Sequence, residues 1–167
     1  MKVAFLIFVL LSTPIFADNT PVGTSALLNN TTGNNNVAIG DSTLKNNTSG
    51  LNNTATGYFS LRDNITGKQN TSIGSYSMRY NTTGNDNTAI GFESLKYNTT
   101  GDKNTAIGNY ALQDNTTGIS NTSVGNYSLS DNSTGDKNTA IGNYSMRSNS
   151  SGNDNTSMGN YAMRNNT

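Results

Sequence analysis

Hydrophobic and polar positions recur along this chain with a period of 17 residues. The unit is cleanest at 104–118, NTAIGNYALQDNTTG, followed by two variable residues. Copies start at Asn19, Asn36, Asn53, Asn70, Asn87, Asn104, Asn121, Asn138 and Asn155, giving eight complete units and a ninth of 13 residues, with no insertion anywhere. All 17 glycines fall at two fixed phases of the unit. Such register at a short period marks stacked repeats rather than a layered globule.

The columns carry the expectation. The first position is Asn in every copy, and the second is mostly Thr. The third is small, Ala or Ser except for Pro21. The fourth is Ile39, Ile73, Ile90, Ile107 or Ile141, with Val22, Thr56, Val124 and Met158 in the remaining copies. The fifth is Gly, the eighth is small, and the ninth is Leu or Met throughout. The twelfth is Asn, and a second Gly closes the fifteenth position. Glycines and Asn–Thr runs interrupt any long helix.

Two extended pieces per copy fit the alternation, Thr-Ala-Ile before the first Gly and Tyr-Ser-Leu after it. The larger residues, the Ile and Leu columns, are expected inside. Gly91 and Gly108 in one column, with Gly101 and Gly118 in the other, are expected at corners with positive φ. Asn70, Asn87 and Asn104 in the first position should stack from rung to rung, as should Asn81, Asn98 and Asn115 in the twelfth. These amide ladders would satisfy turn backbone groups and one another. At about 4.8 Å per rung, nine rungs make a rod of roughly 43 Å. The predicted fold is an all-β parallel solenoid, a β-roll or β-helix of nine repeats.

Residues 1–17, MKVAFLIFVLLSTPIFA, read as a secretory signal: Lys2, a short apolar run, then breakers and Ala17 at the cleavage point. The run is short for a membrane span. Residues 18–167 then form one repeat domain, secreted or at the cell surface, and removal of the signal leaves 9 basic against 10 acidic residues.

The tandem strings NTAIGNYAL and NTTG resemble the head repeats of trimeric autotransporter adhesins and related bacterial surface and fibre proteins. The resemblance covers residues 19–167. It implies a left-handed parallel β-roll, three chains side by side and an outer-membrane association. It also implies an adhesive or structural role towards host or neighbouring cells, matrix or glycan. It brings no catalytic residues. The unit here is longer than the best-known head repeats, near 14 residues, which implies a wider turn. Neither a heptad stalk nor a terminal membrane barrel is visible in the sequence. The small third and eighth columns suit either a close inter-chain face or packing within one chain.

Composition narrows the chemistry. Only 32% of residues are hydrophobic, and net charge is zero. The absence of Cys and His excludes thiolate and imidazole chemistry at metals or in catalysis. A neutral chain lacks the basic footprint of nucleic-acid binding. The acids are scattered along the rod, so no carboxylate pair is expected to act as an enzyme site. Clusters such as Asn85-Asp86-Asn87 lack the calcium-roll spacing. No metal or cofactor is expected.

Two outward stripes remain as candidate contact surfaces. The seventh position carries Phe59, Tyr76, Tyr110, Tyr127, Tyr144 and Tyr161, an aromatic file suited either to ligand contact or to stacking on itself. The tenth carries Lys45, Arg62, Arg79, Lys96, Arg147 and Arg164, a basic file that reads as an anion-binding strip or a solvated face. Sequons recur in the twelfth column, Asn81 and Asn98 among them, inviting glycosylation unless those amides turn inward. The functional expectation is an extracellular adhesin-like or structural fibre module. The alternatives are an ice-binding Thr-rich solenoid, disfavoured because Ile rather than a second Thr file occupies the fourth position, and a passive spacer.

Overall fold

The computed structural model describes residues 19–166. Residues 1–18, which include the expected signal segment 1–17, and Thr167 lie outside the described residues. Within them the chain is an all-β solenoid, and each rung adds one three-residue strand to a single parallel sheet. The strands are β1 (Thr20–Val22), β2 (Val37–Ile39), β3 (Thr54–Thr56), β4 (Thr71–Ile73), β5 (Thr88–Ile90), β6 (Thr105–Ile107), β7 (Thr122–Val124) and β8 (Thr139–Ile141). Two-residue β9 (Ser148–Asn149), β10 (Thr156–Met158) and β11 (Asn165–Asn166) follow. The nine-stranded sheet runs β1 to β8 in order and ends on β10, while β9 and β11 form a separate parallel pair. Register shifts by one repeat at each step: Thr88 faces Thr105, Ala89 faces Ala106 and Ile90 faces Ile107.

The sheet inverts part of the expected inside and outside. From β2 to β8 and in β10 the middle residue points in, so Ala89, Ala106 and Ala140 are fully buried. The flanking Thr and Ile point out, and Ile73, Ile90 and Ile107 are 41%, 37% and 38% exposed. The Ile column is therefore a surface file. The reason is the thinness of the coil. The third and eighth positions meet across it, and a serine hydroxyl spans the gap. Ser128 Oγ donates to the Ala140 carbonyl at 2.9 Å, and Ser60 Oγ reaches Ser72 Oγ at 2.8 Å. A larger side chain has no room there. The two small columns are consequently spent on packing within the chain and do not supply a close inter-chain face.

The ninth column is the core as expected: Leu44, Leu61, Met78, Leu95, Leu112, Leu129 and Met146 are fully buried in one continuous file. Its segment is not a second strand, however. Tyr110 and Leu112 both have positive φ, at 58° and 52°, and the same alternation recurs in neighbouring rungs. Reversals at the seventh and ninth positions, closed by bonds such as Ala111 N–H to the Gly108 carbonyl at 3.3 Å, coil this stretch into a turn. Left-handed backbone at a bulky residue costs roughly 1–2 kcal/mol. The rung-to-rung bonds on either side offset it, as where Leu112 N–H meets the Ser128 carbonyl at 3.0 Å.

The two glycine columns differ. Gly91 and Gly108 have φ of 136° and 131°, as expected for a corner. Gly101 and Gly118 do not adopt positive φ, so that expectation fails for their column. Space decides there instead: a Cβ on Gly101 would lie 2.5 Å from the Gly118 carbonyl oxygen.

The Asn ladders form as expected. Asn87 Nδ2 donates to the Gly101 carbonyl at 2.8 Å, and its backbone N–H donates to Asn70 Oδ1 at 3.0 Å. Asn104 repeats this with Gly118 and Asn87. In the twelfth column Asn98 Nδ2 donates to Asn81 Oδ1, and Asn115 Nδ2 donates to Asn98 Oδ1. These side chains are fully buried. The sequons at Asn81, Asn98 and Asn115 are thus closed in the folded chain.

Candidate functional site

The turn geometry places two sequence-separated columns on one face. In a strand, residues three apart would point to opposite sides. Here the reversals at the seventh and ninth positions bring the seventh and tenth side chains together. The aromatic and basic files are therefore one interlocked surface rather than two stripes. Arg62 lies 5.1 Å from the Phe59 ring centroid. Arg79 lies 5.2 Å from Phe59, 5.4 Å from Tyr76 and 4.8 Å from Tyr80. Arg147 sits alongside Tyr127 and Tyr144 at 5.5 and 5.6 Å, and Arg164 alongside Tyr144 and Tyr161 at 5.9 and 5.7 Å.

The rings also stack on one another. Tyr110 and Tyr127 have centroids 4.5 Å apart and planes 13° from parallel. Tyr127–Tyr144 and Tyr144–Tyr161 follow at 5.1 Å and 5.2 Å, 8° and 1° from parallel. Stacking turns ring faces toward each other and leaves edges outward. A sugar ring stacks on an exposed aromatic face, so this file is poorly disposed for that contact. Glu93 interrupts the column, and there Phe92, one position earlier, restores continuity by edge contacts to Tyr76 and Tyr110. Tyr80 and Tyr97 make a second stack at 5.4 Å, beside Arg79 and Lys96. The sequence shows little sign of either, because Phe92 is the one phenylalanine in its column and tyrosine fills the eleventh column in two copies alone, Tyr80 and Tyr97.

Charges on this face are partly paired. Arg62 meets Asp63 at 2.8 Å, Lys96 meets Glu93 at 3.0 Å, and Arg147 lies 3.8 Å from Asp131. The last is an ion pair without a hydrogen bond, since Arg147 Nε is buried and has no acceptor, as is Arg79 Nε. Arg79 and Arg164 have no carboxylate partner among the described residues. Burial works to lower the Lys96 pKa, but the Glu93 carboxylate and Tyr97 phenol outweigh it, so the ammonium is held above the ordinary lysine value. Desolvation, then the neighbouring Tyr127 and Glu93, raise the Tyr110 phenol. Burial and the Asp131 charge raise the Asp114 carboxyl.

A second face was not anticipated as a site. The outward sides of the sheet strands make two adjoining files. One is Thr54, Thr71, Thr88, Thr105, Thr122, Thr139 and Thr156; the other is Ile73, Ile90, Ile107, Val124, Ile141 and Met158. In-register pairing at every step keeps both files straight. This face carries no charged side chain from β3 to β10. The available signal was the small third column: a thin coil forces the fourth residue out.

Among the described residues no three His, Cys, Asp or Glu side chains group as a metal site, and no helix is long and apolar enough to cross a membrane. A hollow lined by Pro21, Leu27 and Leu28 is the open cross-section of the first described rung. No family model matches the chain, and no curated protein or solved structure matches it.

Proposed function

We propose that this chain is a rod-forming module of an extracellular fibre, adhesin-like or structural, that associates with copies of itself through the Thr/Ile face. One observation carries the reading: an uncharged, straight file of half-exposed aliphatic side chains runs nearly the length of the rod. Exposed apolar surface of that extent marks an interaction site. A second copy suits it because only a rod of the same rung spacing meets it Ile for Ile along its whole length. A closed symmetric assembly, a trimer by the resemblance of the repeats, would leave the aromatic–basic face outward for contact with a cell surface or matrix. The signal-like first 17 residues support an extracellular site.

Light scattering of residues 18–167 tests the association. The expected mass is a multiple of the single chain, three for the trimer. Ile90→Lys with Ile107→Lys should reduce it to the monomer while the β circular dichroism is retained. A folded wild-type monomer at high concentration would sink the proposal.

The same face supports a second reading. The Thr file and the fourth column lie side by side on a flat, periodic, methyl-bearing surface, the geometry an ice-binding face requires even though one file is Ile. Thermal hysteresis that is lost in Thr88→Lys and Thr105→Lys would favour ice. A monomer without hysteresis would leave the passive spacer.

A further inference from the structure

The parallel tyrosine stacks point to a chemistry that recognition does not use. We propose that Tyr110, Tyr127, Tyr144 and Tyr161, together with the Tyr80–Tyr97 pair, are sites of oxidative cross-linking that staple neighbouring rungs covalently through dityrosine. The co-reactant is hydrogen peroxide acting through a haem peroxidase, or an equivalent one-electron oxidant of phenols. This inference rests on the aromatic face and does not depend on the association proposed above.

Three observations carry it. First, the separations are short and the planes close to parallel, 4.5 to 5.2 Å and 1° to 13° in the four-residue file. Second, each ring is anchored to its neighbours by the backbone. Tyr127 N–H donates to the Asn109 carbonyl at 3.0 Å, Tyr144 N–H to Asn126 at 2.9 Å and Tyr161 N–H to Asn143 at 2.9 Å. Two radicals formed on adjacent rungs are therefore held together instead of diffusing apart, which is the advantage of an intramolecular encounter. Third, the rings are only partly covered. Tyr110, Tyr127 and Tyr144 are half-buried, and Tyr161 is exposed, so these residues are open to an oxidant in solution. The Arg147 guanidinium lies beside the Tyr127–Tyr144 pair, roughly equidistant from both rings, and does not separate them.

The step balances. Peroxide takes one electron and one proton from each of two phenols and leaves as two molecules of water. The two phenoxyl radicals join by a carbon–carbon bond between ring positions ortho to the hydroxyls. The hydrogens on those carbons then move to the oxygens and restore both phenols. Each link removes two hydrogen atoms from the chain.

The test exposes the full folded chain, at low concentration, to peroxidase and dilute peroxide. The readouts are dityrosine fluorescence, intact mass and peptide mapping. The expected result is a loss of two hydrogens per link, no increase in chain number on a denaturing gel, and links at Tyr80–Tyr97 and within the file from Tyr110 to Tyr161. Tyr127→Phe with Tyr144→Phe keeps the stacking ring, as Phe59 does naturally in this column, and leaves no adjacent tyrosines in the file. Links there should vanish while Tyr80–Tyr97 persists, and far-ultraviolet circular dichroism should be unchanged. No dityrosine in the folded chain would overturn the proposal. So would links only between molecules, or equal yield from the urea-unfolded chain.

Discussion

Asn98 Nδ2 donates to Asn81 Oδ1 at 2.7 Å, 17 residues back, and to the Gly101 carbonyl at 2.9 Å within its own turn. One amide thus ties a rung to its neighbour and closes its own corner. Its own Oδ1 accepts from Asn115 at 2.9 Å, so the bond is one link of a continuous ladder. Asn98→Asp removes both donors and buries a charge. It should destabilise by at least about 3 kcal/mol, and Asn98→Ala by about 1–3 kcal/mol. Denaturant unfolding of the two variants checks the order; Asp tolerated better than Ala would contradict it.

Gly101→Ala separates crowding from backbone conformation. Gly101 needs no positive φ, so a conformational argument predicts a mild effect. The Cβ would instead press on the Gly118 carbonyl and on the Asn98 and Asn115 side chains. Overpacking of about 3 kcal/mol or more is expected. A loss below about 1 kcal/mol in the melting curve would mean that the rungs spread at little cost.

Leu112 and Ile107 are similar in size and sit five residues apart, yet one is buried and the other outward. Leu112→Ala should cost about 2–5 kcal/mol. Ile107→Ser should change unfolding of the isolated chain by about 0.5 kcal/mol or less, and its effect should appear in association instead. Equal losses under monomeric conditions would contradict the outward placement.

Asp114 should work against the fold at neutral pH. Burial and the adjacent Asp131 charge raise its folded pKa above the unfolded value. The native state therefore holds the proton more tightly, and stability falls as pH rises from the ordinary aspartate range through the folded pKa. Asp114→Asn should be more stable than wild type at pH 7, by less than about 1 kcal/mol for a partly solvated group. The advantage should disappear below the ordinary aspartate pKa. Asn already fills this column at Asn29 and Asn46. A gain that persists at low pH would assign the effect to something other than this charge.

Lys137 is exposed with φ of 55°. Gly there relieves the left-handed strain but adds unfolded-state entropy, for a net gain of up to about 1 kcal/mol. A lower thermal midpoint for Lys137→Gly would indicate that the lysine makes an offsetting contact.

The ladders were legible because Asn81 and Asn98 occupy a column with no exceptions, and an invariant buried amide has few other uses. The Leu112 core was legible for the same reason. Ile107 misled because alternation fixes two phases without saying which is inward, and size pointed to the wrong one. The deciding fact, that Ser128 Oγ spans the coil to Ala140, depends on a thinness that no single rung encodes. Tyr110 and Leu112 hid their left-handed backbone because neither is Gly or Asn, the residues that usually announce it. That conformation in turn concealed the meeting of Tyr144 with Arg147, which extended backbone would keep apart.

Continuous ring contact from Tyr58 to Tyr161 gives the rod an optical property. The chain contains no tryptophan, so near-ultraviolet absorption and emission belong to tyrosine and phenylalanine alone. Rings held at fixed separation and tilt share their excitations, and a coupled array reports its geometry in the sign and size of its dichroism. A slip of one rung against the next would alter that signal before the backbone spectrum changed. The molecule carries its own gauge of register.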